Sequence, residues 1–246
     1  MKLPLVIALL ASCHTTYAAV NLPYANDFGS SASDFTAGGT GTWSVGSGRY
    51  TNNIPTDAPS YSVAQVTGLG GATKQSFSIS TVIAAASGSS ASVGFAVLSS
   101  GSNVNTSTFI LADLFNNGTL RFRPFSAGSP TGTDISLASP VRFLEISTLG
   151  AVSLSVTGIY NGDDSLTLTL SATQGATTTN HSTTFASGSV PTGDFFGFRN
   201  RNNTGVTNVT PYSVSLDSVA INAVPEPSVA LLTAGFIGLA ALRRRR

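Results

Sequence analysis

Residues 152 to 171 alternate apolar and hydroxyl side chains twice over, and no other feature constrains the fold as tightly. Val152, Leu154 and Val156 are separated by serine and threonine, and Leu166, Leu168 and Leu170 recur in the same way between Ser165 and Ser171. Successive side chains of a strand point to opposite faces, so each run lays one face on a core and leaves the other to water. A helix would scatter the same residues around its circumference. Between the runs lies Asn161-Gly162-Asp163-Asp164. An Asn-Gly pair tolerates positive φ, so a tight hairpin turn is expected there.

The same alternation marks Phe77 and Ile79, then Val93, Phe95 and Val97, then Leu120 and Phe122, and finally Val214 and Leu216. In the last run the phase slips at Asp217-Ser218, since Val219 and Ile221 continue one residue out of step, which predicts a β-bulge. Further strands are expected at Trp43–Tyr50, Tyr61–Val66, Phe109–Phe115, Phe143–Ile146, Thr177–Phe185 and Asp194–Arg199, about a dozen in all. No amphipathic helix of ten residues competes with them. So many strands hide their edges by stacking as two facing antiparallel sheets. The 25 glycines and the abundant Ser, Thr and Asn suit short strands and turns.

Only 9% of residues are charged, 12 basic against 11 acidic, where an ordinary soluble domain carries about 25%. Such a chain has no basic field with which to hold a phosphate backbone, so nucleic acid is not an expected partner. Its apolar content is too high for disorder.

Both ends differ from the middle. Met1 and Lys2 precede an apolar stretch from Leu3 to Ala11, and small residues end at Ala18. This predicts a signal peptide over 1–18, its apolar part too short to span a membrane. Leu10-Ala11-Ser12-Cys13 also resembles the lipobox of bacterial lipoproteins, in which Cys13 would be acylated. A cut after Ala18 leaves no cysteine in the mature chain, hence neither disulfide nor thiolate. At the other end Pro225, Glu226 and Pro227 precede an apolar run from Val229 to Leu242, closed by Arg243, Arg244, Arg245 and Arg246. The run covers about 21 Å as a helix, a marginal span, and the arginines stop transfer and stay on the cytoplasmic side. A β-domain over 19–223 and a C-terminal segment over 224–246 complete the expected organisation.

In that order the three C-terminal elements resemble the PEP-CTERM sorting signal of Gram-negative bacteria that make exopolysaccharide. The resemblance covers about the last 23 residues. It implies recognition by exosortase, a membrane-embedded cysteine protease or transpeptidase, transient or weak anchoring in the bacterial membrane, and delivery to the cell surface or extracellular matrix. Asp27-Phe28-Gly29, Gly41-Thr42-Trp43-Ser44-Val45 and Gly48-Arg49-Tyr50 are similar to the start of concanavalin-A-like and laminin-G-like jelly rolls. Val214 to Val219 resembles their closing strand. This second resemblance implies a two-sheet jelly-roll sandwich in which the last strand returns beside the first.

Reactive groups are sparse. The domain holds one histidine, His181, and one glutamate, Glu145. The Glu-x-Asp-x-x-Glu arrangement of laminarinase-type jelly rolls, which sets a nucleophile and a general acid on one face, is absent. Glu145 reads as a strand-edge carboxylate beside Arg142, and His181 as an exposed strand histidine without a second histidine to share a zinc. Asp163 and Asp164 have the spacing of a turn rather than of a calcium loop. No catalytic residue, metal or cofactor is therefore expected. Arg121 and Arg123, two apart, project from one strand face opposite Leu120 and Phe122. Arg199 and Arg201 form a second polar group after Phe195, Phe196 and Phe198. These four arginines are the candidate glycan-binding residues, with edge protection as the plainer alternative.

Three functions stay open. The first is an exported, non-catalytic structural or adhesive β-sandwich associated with exopolysaccharide. The second is a lectin-like carbohydrate-binding module. The third, with least in its favour, is a polysaccharide-active enzyme.

Overall fold

The computed structural model describes residues 19–55, 58–70, 73–87, 91–142, 145–202 and 212–225. The segment 1–18 expected to be a signal peptide, with Cys13, and the expected sorting tail from Glu226 through Pro227, Val229 and Leu242 to Arg243–Arg246, lie outside these residues. Among the described residues no helix is long and apolar enough to cross a membrane.

The described chain forms two antiparallel sheets. The first contains β1 (Tyr24–Asn26), β3 (Thr42–Gly46), β4 (Arg49–Ile54), β6 (Phe77–Ser87), β12 (Val152–Tyr160), β13 (Leu166–Gln174), β14 (Thr177–Phe185) and β16 (Tyr212–Ala223). Its order is β14-β13-β12-β6-β16-β4-β3, with β1 also paired to β16. The second contains β2 (Thr36–Gly39), β5 (Pro59–Gln65), β7 (Ala91–Ser99), β8 (Phe109–Phe115), β9 (Thr119–Ser126), β10 (Ser129–Pro130), β11 (Ile135–Ala138) and β15 (Phe195–Asn202). Its order is β10-β9-β8-β7-β15-β5-β2, with β11 also on β9. The last strand does return beside the first, Tyr24 opposite Ile221 and Asn26 opposite Val219.

Period-two patterning explains the stacking. Leu154 and Val156 of β12 and Leu168 and Leu170 of β13 are fully buried, as are Phe95 and Val97 of β7, Phe122 of β9 and Phe196 and Phe198 of β15. They belong to one core between the sheets. Phe77 meets Phe196 edge to face across the gap, centroids 5.0 Å apart. Each such side chain contributes roughly 1.5–3 kcal/mol on burial. At one end of the sandwich Phe28, Phe35, Trp43, Tyr50 and Phe198 gather in an aromatic cluster, Trp43 lying 4.8 Å from Tyr50.

Three local expectations are corrected. Trp43–Tyr50 is a hairpin rather than one strand, because Ser47 and Gly48 take φ of 53° and 71° and reverse the chain between β3 and β4. The loop between β12 and β13 is a hairpin as expected, but positive φ falls on Asp164, at 65°, instead of on Asn161-Gly162. There Asn161 N donates to Ser165 O at 2.9 Å, and Asp164 N donates to Asn161 O at 3.0 Å. Around Glu145 the chain makes a helical turn, α1 (Ile146–Leu149), instead of a strand. Thr148 Oγ1 donates back to the Glu145 carbonyl at 3.0 Å, and Gly150, at φ 85°, ends the turn. The bulge in the last strand is present: the register of β16 on β6 shifts between Ser215 and Leu216 and again before Val219.

Candidate functional site

Alternation that buries Leu120, Phe122, Ile110, Ala112 and Leu114 in the core must send their neighbours to the outer face of the second sheet. Strand register then aligns them. Arg121 lies opposite Asp113, and Asp113 opposite Gly94. The register of β15 on β7, with Phe198 opposite Phe95 and Arg201 opposite Ser92, carries the row on to Arg199. Arg199 in turn faces Tyr61, and Tyr61 faces Gly38. One cross-strand line thus joins Arg121, Asp113, Arg199 and Tyr61, with Arg123 and Arg201 on either side of it. The structure brings all four candidate arginines to one face.

Their environments differ. Arg121 is 7% exposed and Asp113 not at all. Arg121 Nε donates to Asp113 Oδ1 at 2.9 Å and Nη2 to Oδ2 at 2.6 Å, a bidentate fork. Nη1 donates to Asp134 Oδ2 at 3.1 Å, and the guanidinium lies 4.3 Å over the ring of Phe115. Burial works against the Arg121 charge, but Asp113 and then Asp134 outweigh it and hold the pKa above its ordinary value. Asp134 comes from the segment before β11 and also accepts from both Nε and Nη2 of Arg123. Burial pushes its carboxyl pKa up, yet hydrogen bonding from Arg123 and the charge of Arg121 bring it below the usual carboxylate range.

Arg199 is 7% exposed and makes no such pair among the described residues. Its guanidinium carbon sits 4.7 Å from the Phe125 ring centre and 5.7 Å from that of Phe109. These two rings stack on each other at 4.5 Å, 9° from parallel. They belong to a satellite core with Tyr61, Val63, Ala96, Val104, Leu111 and Phe195, on the opposite side of the sheet from the main core. The loop from 100 to 108 covers it and inserts Val104. Ser100 N donates to Thr108 O at 3.0 Å, Ser107 Oγ to Asn103 O at 2.8 Å, and Tyr61 Oη to Asn103 Oδ1 at 2.9 Å. Gly128 N donates to Ser107 O at 2.8 Å, and a Cβ at Gly128 would fall 1.6 Å from Asn105 O, so the close approach of these two loops requires glycine.

The remaining candidates lie elsewhere. Glu145 is exposed ahead of α1, and Arg142 Nη1 donates to the carbonyls of Ser139 and Val141. Asp163 accepts from Ser165 N and Oγ, and Asp164 pairs with Lys74, so both serve the loop. His181 is half-buried instead of exposed. Its ring lies 5.4 Å from that of Phe122, and Nε2 donates to Ile135 O at 3.1 Å, tying the edge of one sheet to the edge of the other. Among the described residues no cluster of three His, Cys, Asp or Glu could hold a metal ion. Sequence reasoning missed Asp113, Asp134, Phe109, Phe125 and the Val104 loop. Asp113 did carry a signal, as a lone acid inside the apolar run Phe109–Phe115.

Over β6, β12, β13 and β14 the outer face of the first sheet has the opposite character, while at β4 and β16 it carries the Arg49–Asp217 pair at 2.9 Å. Strands β6, β12, β13 and β14 contain no Asp, Glu, Lys or Arg. Cross-strand hydroxyls pair there instead: Thr167 with Thr184 at 3.0 Å, Thr169 with Ser182 at 2.8 Å and Thr173 with Thr178 at 2.9 Å.

No protein-family model matches the chain, and no curated protein matches it either. Solved structures do resemble it in fold. A seed lectin of Lotus tetragonolobus superposes with a TM-score of 0.54 at 12% identity, covering 84% of this chain and 100% of the lectin. A glycosidic hydrolase gives 0.54 at 11% identity over 85% and 100%. The β-glucanase of Bacillus licheniformis gives 0.51 at 10% identity over 82% and 98%. At such identities the likeness is one of architecture: the described chain is an antiparallel two-sheet jelly-roll sandwich, a fold that hosts lectins and glucanases alike.

Proposed function

We propose that the protein is an exported bacterial surface or matrix component, a non-catalytic β-sandwich that works within exopolysaccharide by structure or adhesion. One observation carries the non-catalytic part: both acids among the described residues of the arginine face are engaged by arginine. A sugar-cleaving pair needs one carboxyl kept protonated to act as general acid. Asp134 is shifted the other way, and both oxygens of Asp113 accept from Arg121. The address rests on Pro225-Glu226-Pro227, the run from Val229 to Leu242 and Arg243–Arg246, whose order supports exosortase processing from a membrane-held intermediate. Mass spectrometry of the extracellular protein tests this. Mature material lacking Arg243–Arg246 is expected, and an intact arginine terminus would remove the sorting proposal. A chain ending at Ala223 is expected to miss the surface fraction.

The second reading is a lectin-like carbohydrate-binding module. It is favoured by the convergence of Arg121, Arg123, Arg199 and Arg201 on one face and by a fold held in common with a seed lectin. Retention on the producing strain's polysaccharide tests it, with Arg123→Ala and Arg201→Ala as the variants. Arg121 is the wrong residue to remove, since its loss strands a buried Asp113. Turnover of any polysaccharide by the wild type, abolished in Asp113→Asn, would restore the enzyme reading.

A further inference from the structure

Resting on the carbohydrate-binding reading, we propose that Arg199 anchors a carboxylate site on the outer face of the second sheet, which takes the acid group of a uronic-acid residue in an acidic polysaccharide. A guanidinium carries five N–H donors, accepts nothing and does not give up its charge. Arg121, three strands along the same row, fills its fork with Asp113 and Asp134. Arg199 is equally buried, yet among the described residues no carboxylate lies within ion-pairing distance of it. Its Nε is shut off from solvent without a hydrogen-bond partner. The two Nη groups are not shut off in this way.

What Arg199 does touch supplies no hydrogen-bond acceptor. Its guanidinium carbon lies 4.7 Å from the centre of the Phe125 ring and 5.7 Å from that of Phe109, so the charge rests against two π-systems while its Nε–H goes unanswered. The fork of a guanidinium matches the two oxygens of a carboxylate. The surroundings add to the demand. Burial, which the charge of Asp113 offsets only in part and to which repulsion from Arg201, Arg121 and Arg123 adds, lowers the Arg199 pKa to about 10. An unpaired buried cation is costly, and an arriving anion relieves that cost. A neutral sugar offers hydroxyls but no compensating charge.

Isothermal titration and thermal unfolding of the exported protein test the proposal with four probes: an oligogalacturonate, a cello-oligosaccharide of equal length, acetate and sulfate. The uronate oligomer is expected to bind and raise Tm, with the other three well behind. Arg199→Met keeps the packing volume and removes the charge. It is expected to unfold no more easily than wild type without ligand, while losing roughly tenfold to a hundredfold in uronate affinity, the usual worth of a charge-assisted fork. Arg199→Lys keeps the charge without the fork and is expected to recover only part of that loss. Equal binding of both oligomers would overturn the carboxylate site and leave the carbohydrate reading standing. Binding of neither would remove both. Acetate or sulfate matching the uronate would reduce the site to an adventitious ion only, and full uronate affinity in Arg199→Met would rule out Arg199 as its anchor.

Discussion

The two outer faces of the sandwich meet the same problem with different chemistry. On the first sheet, rows of Ser and Thr across β12, β13 and β14 satisfy one another at 2.8–3.0 Å and carry no charge. On the second, arginines and aspartates are drawn out of water against phenylalanine rings. Cross-strand hydroxyl pairs are worth only a fraction of a kcal/mol each, and any one can be lost without consequence for its neighbours. Buried ion pairs are unforgiving, since removing one partner leaves the other charged and dry. The hydroxyl face therefore distributes its stability, whereas the arginine face concentrates it.

The sharpest way to break this contrast is Asp113→Ala. It takes the bidentate partner from Arg121, leaving only the single bond to Asp134, and should cost about 3–5 kcal/mol in urea unfolding, while Asp113→Leu with Arg121→Met should recover most of the loss. Leu168→Ala, beneath the hydroxyl face, should cost about 2–5 kcal/mol as a core truncation. A loss no larger than that of a surface change would place that strand outside the core. The acid limb of the stability curve sharpens the comparison further. Asp134 has a folded pKa below its unfolded value, so its contribution is complete above the ordinary carboxylate value of about 4 and disappears as pH falls through the lower native value. Its side chain is 30% exposed, so solvent screening keeps the effect near 1 kcal/mol or below. Asp134→Asn should flatten stability against pH below about pH 4, with no counterpart among the hydroxyl rows of β12, β13 and β14. The smallest effect belongs to Thr169→Val, expected at about 0.2–1 kcal/mol, because Ser182 loses one partner at a site that water still reaches.

Much of the architecture was legible because alternation is a direct record of burial. Val152 to Leu170, the closing strand and its bulge could be read residue by residue. Short strands such as β2 and β10 left no such record, since four residues or fewer of Gly, Ser, Thr, Ala and Pro establish no period, and in β11 the two apolar residues Ile135 and Leu137 are too few to establish one. The hairpin at Ser47-Gly48 did leave a turn signal, Gly46-Ser47-Gly48, but the apolar and aromatic residues from Trp43 to Tyr50 read as one continuous strand across it. At the candidate site, the spacing of Arg121 and Arg123 announced a shared face. It was silent on which arginine would find an acid, since Asp113 and Asp134 meet Arg121 only through pairing with β8 and the turn before β11. The satellite core was out of reach for a similar reason: Val104 belongs to a loop with no periodicity, and only the folded chain shows what it covers.

The position of β16 bears on the order in which the domain can be completed. This strand, among the last residues described, is an inner member of its sheet: β6 lies along one side and β4 with β1 along the other. Until residues 212–223 arrive, β6 and β4 face each other across a slot one strand wide, with unpaired amides on both banks. Pairings so distant in sequence form slowly. A chain threaded through a membrane from its N-terminus would have to stay unfinished in transit and knit shut only as its final strand emerged. Val224, whose N–H donates to Ser76 O at 2.8 Å, then acts as the stitch that fastens the seam just ahead of Pro225.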